Sequence, residues 1–219
     1  MSIKDNLEVI QQTIPAHVTL VAVSKTKPVT DLQEAYDAGI RDFGENKIQE
    51  MCEKYEVLPK DIRWHMIGHV QTNKVKYMAP FVYLIHGVDS LKLLKEINKE
   101  AAKNNRVINV LLQVFIADEE TKFGLDATEL EDILSNQIQT LPNVNVVGLM
   151  GMATFTDDEN KIRTEFKSLK LLFDQFAPQH PEMKIISMGM SGDYQLAMEE
   201  GSTMVRIGSS IFGHRNYNI

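Results

Sequence analysis

The sequence predicts an α/β fold, a (β/α)8 TIM barrel with an additional N-terminal helix, on three observations. Short apolar strand signals alternate with amphipathic helix signals, the pair recurs eight times, and the unusual polar residues fall near the ends of strand signals. Buried strands alternating with helices require a mostly parallel sheet, because each crossover returns the chain to the same end. Eight units favour closure over an open doubly wound sheet, which stands as the alternative.

The elements follow in order. Ile3, Leu7, Ile10 and Ile14 recur at helical spacing, giving an N-terminal helix that stops near Pro15. Thr19–Val23 reads as a buried strand, apolar and largely β-branched. A helix runs from about Thr30 to Ala38, with Thr30 and Gln33 at capping-box spacing and Gly39 at its end. Ile40–Phe43 is strand two, and Asn46–Val57 is helical up to Pro59. Arg63–Ile67 is strand three, followed by a helix over Val70–Met78. Phe81–His86 is strand four; Ser90 caps a helix whose face is Leu91, Leu94, Ile97 and Ala101. Val107–Ile116 gives strand five and Thr128–Gln137 its helix. Asn145–Met150 is strand six, and Ile162, Phe166, Leu169, Phe173 and Phe176 form the clearest apolar stripe of the chain. Lys184–Met188, the helix Tyr194–Glu200 and Thr203–Ile207 complete the strands, before a short helix within Ser209–Gly213.

Composition removes several function classes. A net charge of -7, from 30 acidic and 23 basic side chains, opposes an extended nucleic-acid surface. The single cysteine, Cys52, excludes an internal disulfide framework, is poor evidence for a metal site, and reads as a helix residue in a reducing compartment. The first residues carry Lys4, Asp5 and Glu8 without a long apolar run, and no window approaches the roughly 18 apolar residues of a membrane span. The expectation is therefore a cytoplasmic protein with no membrane partner, a single domain over residues 1–219, and a monomer.

In a barrel, function gathers at the C-terminal ends of the strands. Lys25 follows strand one there. An amine forms a Schiff base only when deprotonated, so a working site lowers its pKa from about 10.4 by desolvation or a neighbouring positive charge. Arg206 supplies such a charge, and Lys27 does so if it faces inward; the plain alternative is that Lys25 solvates a loop. Ser187–Asp193 and Gly208–Ser209–Ser210 place glycines and hydroxyls where the last two strands turn into helices, an arrangement that binds phosphate through exposed amides. Either cluster alone reads as an ordinary turn. Arg206, two residues before Gly208, addresses the far side of an aromatic ligand or else makes a peripheral salt bridge. Facing a pyridine nitrogen, it favours the unprotonated ring, unlike sites that place an acid there.

At these residues the chain resembles the pyridoxal phosphate homeostasis protein family, whose fold is similar to the N-terminal barrel of alanine racemase. The matching stretches are Val21–Pro28, Phe43–Lys47 with Gln49 and Glu50, and Trp64–His65 with Ile67–Gly68 and Gln71–Lys74. They continue through His86–Ser90, Gly148–Met150, Ser187–Ser191 with Asp193, Gly201–Gly208, Ile211–Gly213 and Arg215. The resemblance implies pyridoxal 5'-phosphate (PLP) as cofactor, carried on Lys25, with Arg206 toward the pyridine nitrogen. It also implies phosphate contacts from the stretch holding Ser187 and Ser191 and from Gly208 and Ser209, with Asn46 and His86 near the ring. Strand-end hydrogen bonding is the alternative role for Asn46 and His86. Trp64, Met188 and Met190 read as packing. Lys47 stands where an aromatic is frequent, and Gly151–Phe155 lacks a usual proline, which touches surface partners and the loop after strand six.

The resemblance further implies a part in intracellular PLP, vitamin B6 and amino-acid homeostasis, with PLP-dependent apoenzymes as possible recipients of the cofactor. Racemisation needs proton transfer on both faces of a planar carbanion. Alanine racemase brings a second domain and a tyrosine base, whereas here the chain ends at Ile219 and Tyr217 lies too near that end to be assigned. The expectation is a carrier without a full racemase set. The alternatives are a low-activity PLP-dependent amino-acid racemase and a PLP-independent Schiff-base aldolase.

Overall fold

Eight parallel strands close into a barrel in which each pairs with its sequence neighbours and the last returns to the first. The structure, a computed structural model, describes residues 2–118 and 123–213; Arg215 and Tyr217 lie outside the described residues. In chain order the elements are α1 (Ile3–Thr13), β1 (Thr19–Val23), α2 (Val29–Asp37), β2 (Asp42–Glu45), α3 (Ile48–Val57) and β3 (Arg63–Met66). A 3-10 turn, Thr72–Lys74, leads into α4 (Val75–Met78), β4 (Leu84–Val88), α5 (Leu91–Lys103), β5 (Ile108–Gln113) and α6 (Ala127–Asp132), which passes into π and 3-10 turns up to Thr140. The chain continues through β6 (Val144–Met150), α7 (Glu159–Phe176), β7 (Ile185–Met190), α8 (Tyr194–Glu199), β8 (Met204–Ile207) and α9 (Ser209–Phe212).

Strand alternation divides the apolar residues between two cores. Ala22, Phe43, Trp64, Ile85, Leu112, Leu149, Ile186 and Val205 face outward into the layer shared with the helices. Val21, Leu84, Leu111, Met150 and Met204 form a smaller cluster on the inside of the wall. Trp64 belongs to the outer layer, fully buried beside Phe43, which bears out its reading as packing. Met188 is likewise buried in the outer layer. Helix α1, closed by a Ser2–Asp5 capping box, packs beside α2 and α9, where Asn6 donates to the Ile211 carbonyl at 2.9 Å.

Several local expectations change. Helix α2 begins at Val29 with Pro28 at the cap and no side-chain cap bond, so the Thr30–Gln33 capping box does not form; the fixed φ of Pro28 serves the turn instead. Strand β2 extends past Phe43 through Gly44 and Glu45, because its ladder with Arg63–Met66 gives those backbone groups partners and both flanking carboxylates find buried ones. Strand β4 starts at Leu84 rather than Phe81. Arg106 donates to the carbonyls of Ala79 and Val82 and holds the preceding stretch as a turn, which moves His86 to mid-strand. Strand β7 runs on to Met190, so Gly189 and Met190 belong to the strand rather than to the loop after it.

Candidate functional site

The turn after β1 carries Lys25, half-buried between two pinned residues. The Ser24 N–H donates to the Gly44 carbonyl at 3.0 Å, and the Lys27 N–H to the Ser24 carbonyl at 3.1 Å. Thr26 closes the turn with φ +63°, a left-handed conformation uncommon outside glycine. A buried cluster outside the barrel wall holds this shape. Lys54 Nζ donates to the Ser24 carbonyl at 2.8 Å and to Glu45 Oε1 and Glu50 Oε1, each at 2.7 Å. The Thr26 N–H donates to Glu50 Oε1 at 2.6 Å, and the Ser24 hydroxyl to Glu45 Oε1 at 2.6 Å. The residues on either side of Lys25 are thus tied to one lysine of α3.

Burial pushes the Glu45 carboxyl up to about 7 against the opposing pull of Lys54 and Ser24, and its Oε2 has no hydrogen-bond partner among the described residues. Between its ordinary 4.5 and about 7, the folded chain holds a proton that the unfolded chain has released. This contribution is therefore complete at low pH and is lost as pH rises through that window, by about 3 kcal/mol. Glu45→Gln, which keeps the shape and cannot ionise, is expected to flatten the decline of folding stability across that range in urea titrations. A decline as steep in the variant as in the parent contradicts the assignment.

The loops after β7 and β8 meet next to this turn because β1 and β8 are paired, with Val21 opposite Arg206. Ser191 Oγ accepts the Gly208 N–H at 3.2 Å, and Asp193 accepts the Met190 N–H at 2.6 Å. Gly189 has φ +98°, and a Cβ there would sit 2.6 Å from that of Ala197, so this turn requires glycine. Ser209 is exposed at the start of α9. Lys27 Nζ donates to the carbonyls of Phe212 and Gly213 at 2.9 and 3.1 Å, which ties the β1 turn to the end of α9. On the other side of the Lys25 turn, after the neighbouring strand β2, Asn46 is half-buried with its backbone against Gly68, where a Cβ would stand 2.4 Å from the Asn46 carbonyl.

The barrel interior beneath the mouth is polar. Arg206 is buried, not peripheral: Nη1 donates to the Ser187 hydroxyl and Nη2 to the Gly151 carbonyl at 3.3 Å. Burial lowers its guanidinium to about 10, with Asp193 opposing, and it remains a cation at neutral pH. Ser187 Oγ lies 2.9 Å from His86 Nδ1, His86 Nε2 lies 2.9 Å from His65 Nδ1, and His65 Nε2 lies 2.9 Å from Asp42 Oδ1. Burial, reinforced by His65 and Arg206, pushes His86 well below the usual imidazole range. Burial would raise Asp42, but hydrogen bonds from Arg63 and His65 hold it down to about 2.

The structure brings Lys25, Ser191, Gly208 and Ser209 together at the mouth over Arg206, Ser187 and His86, with Asn46 on the adjacent strand end beyond Lys25. Sequence reasoning left out Asp42 and Lys54 as site residues, and gave His65, part of the Trp64–His65 stretch, no contact in the site. The available signal for Lys54 was its place with Ile48 and Met51 on the apolar face of α3, where all three are buried. For His65 it was the inward parity set by Trp64 and Met66, which both face outward. An amine, a hydroxyl-and-amide rim and a buried cation suit an anionic aromatic ligand with a carbonyl group. Among the described residues, no helix is long and apolar enough to cross a membrane and no His, Cys, Asp and Glu group could hold a metal.

The family model for the N-terminal domain of alanine racemase matches residues 1–216. The pyridoxal phosphate homeostasis protein of Aquifex aeolicus is 42% identical over 90% of this chain and 87% of its own length; that of Pasteurella multocida is 39% identical over the whole of both. Among solved structures, PipY of Synechococcus elongatus with PLP bound superposes with a TM-score of 0.88 at 33% identity, over 97% of this chain and all of that one. An alanine racemase from Clostridium difficile matches with a TM-score of 0.78 over 99% of this chain and 57% of its own; at 14% identity it supports the fold alone.

Proposed function

The chain belongs to the alanine racemase N-terminal domain family, and on that premise we propose that it is one domain that binds PLP as a Schiff base on Lys25 and contributes to intracellular PLP and amino-acid homeostasis. The observation that carries the reading is the β1–β8 seam, which sets the Lys25 turn beside Arg206 and the Ser191–Gly208 contact. PLP bound to this family member supplies an aldehyde, a dianionic phosphate and a pyridine ring. The deprotonated Lys25 amine would hold the cofactor through its aldehyde carbon, the aldehyde oxygen leaving as water. Gly208, Ser209 and Ser191 hold the phosphate, and Arg206 donates to the ring nitrogen. His86 and Ser187 act through Arg206, and Asn46 borders the site on the strand next to Lys25.

A ring nitrogen that accepts from a guanidinium stays unprotonated, so the ring withdraws less electron density than one paired with a carboxylate. This favours storage and release over α-carbon chemistry, with apoenzymes that need PLP as recipients. Borohydride reduction of the purified protein incubated with PLP, followed by peptide mass mapping, is expected to find the cofactor on Lys25. Fixation on another lysine overturns the assignment. Deuterium exchange at the α carbon of amino acids, dependent on Lys25, would turn the reading toward a racemase.

A further inference from the structure

The interior chain running from Asp42 to Arg206 has a direction that its chemistry dictates. Asp42 receives a bidentate pair from Arg63 and is held ionised, so it only accepts. The hydrogen on the 2.9 Å contact with His65 therefore sits on His65 Nε2, and a neutral His65 offers Nδ1 as an acceptor. His86 Nε2 must then donate to it. A neutral His86 is left with Nδ1 as an acceptor, which takes the Ser187 hydroxyl hydrogen, and the freed lone pairs of Ser187 accept from Arg206. Every donor and acceptor along this buried line is satisfied in one orientation. The competing arrangement, an imidazolium at His65, reverses the two inner bonds. Ser187 then receives from both His86 and Arg206, and its own hydrogen is left without an acceptor at a site with no solvent exposure.

We propose that Asp42, His65, His86 and Ser187 form a one-way hydrogen-bond wire that holds the Arg206 guanidinium in place as a donor, making His65, His86 and Asp42 positioning residues for the group that faces the cofactor ring. The proposal rests on the cofactor reading above for what Arg206 faces. It does not rest on it for the wire itself. Arg206 is a cation buried in the barrel; Asp193 in the loop after β7 favours its charge, and Asp42 is the anion at the far end of the interior line, three neutral groups away. Polarised in series, those neutral groups add the Asp42 carboxylate's influence at the guanidinium. Gly151 fixes the second edge of the fork through its carbonyl. Two anchored edges leave the guanidinium a single plane in which to present its remaining N–H groups.

The test is nuclear magnetic resonance on the full 15N-labelled chain, as purified and after addition of PLP. Two-bond proton–nitrogen correlations of the imidazole rings are expected to show His65 and His86 both neutral with the hydrogen on Nε2. An Nδ1–H tautomer or an imidazolium at either residue at neutral pH overturns the wire. Asp42→Asn is expected to move the Arg206 side-chain nitrogen resonances and to weaken PLP binding about tenfold, or ~1.4 kcal/mol. Both effects should vanish when Asp42→Asn is made in a Ser187→Ala background, because the line is then already cut. Equal effects of Asp42→Asn in both backgrounds would mean that it acts through general packing, and would sink the proposal. If the variants do not fold, the tautomers of the unmodified chain decide alone. Borohydride mapping separates the two readings: PLP on another lysine with the tautomers as assigned overturns the cofactor site and leaves the wire, and the converse pattern does the opposite.

Discussion

Lys25→Ala is expected to weaken PLP retention about a hundredfold, or ~2.7 kcal/mol, and to abolish the borohydride-fixed adduct. The covalent link is removed, while Arg206 keeps its bonds to Ser187 and Gly151, and Gly208 keeps its contact with Ser191. Residual binding through the phosphate and ring is therefore expected, and equilibrium dialysis followed by cofactor absorbance would measure it. Ser24 and Thr26 stay tied to Lys54 and Glu50 in the variant, so the turn is expected to keep its shape. If PLP is retained at the parent's affinity, the amine that captures it lies elsewhere.

Gly148→Ala is expected to destabilise the fold by about 3–5 kcal/mol. In β6 the register against β5 shifts between Val110 and Leu111, which pair with Val146 and Gly148, so that Val147 is the extra residue of a bulge. Gly148 follows with φ +159°, and a Cβ on it would stand 1.8 Å from the Ile185 carbonyl of β7. That obstacle is backbone in a closed sheet, and it has nowhere to move without parting β6 from β7. Gly192→Ala makes the contrast, since nothing lies within 4 Å of a Cβ there and stability should change by no more than about 0.5 kcal/mol. Urea midpoints compared at constant slope would read both effects. A Gly148→Ala protein as stable as the parent would mean that the β6–β7 register differs from the one described. The bulge also bears on the site, because it sets the phase in which Met150 points inward and Gly151 offers its carbonyl to Arg206.

The elements that were legible in the sequence are those whose burial has one side. Strand β1 and helix α5 have the expected bounds or nearly so, since a β-branched run and a serine-capped amphipathic face each allow one reading. The stripe from Ile162 to Phe176 lies within α7 for the same reason, with Ile162, Phe166, Leu169 and Phe176 buried. Strands β2 and β4 were misplaced because a barrel wall is buried on both faces and its inner face here is polar. Asp42, Gly44 and Glu45 dilute the apolar signal of β2, while Val82, buried in a turn, lengthens that of β4. The same effect hid much of the site. Lys25, Arg206 and the last two loops stood out by position and residue type. Lys54 looked like any solvated helix lysine until its Nζ was found among Ser24, Glu45 and Glu50. His65 and Asp42 had no sequence signal of their mutual contact, which comes from neighbouring strands at a register that only pairing defines.

Strand β1 leaves the ribosome long before β8 is made, yet the two stand side by side in the finished wall. A half-synthesised chain therefore has the amine without the phosphate grip, and a cofactor that needs both binds only the closed form. Such a ligand acts as a keystone, raising the free-energy gap to every incomplete topology by its binding energy at the prevailing concentration. When that ligand is scarce, the gap narrows accordingly.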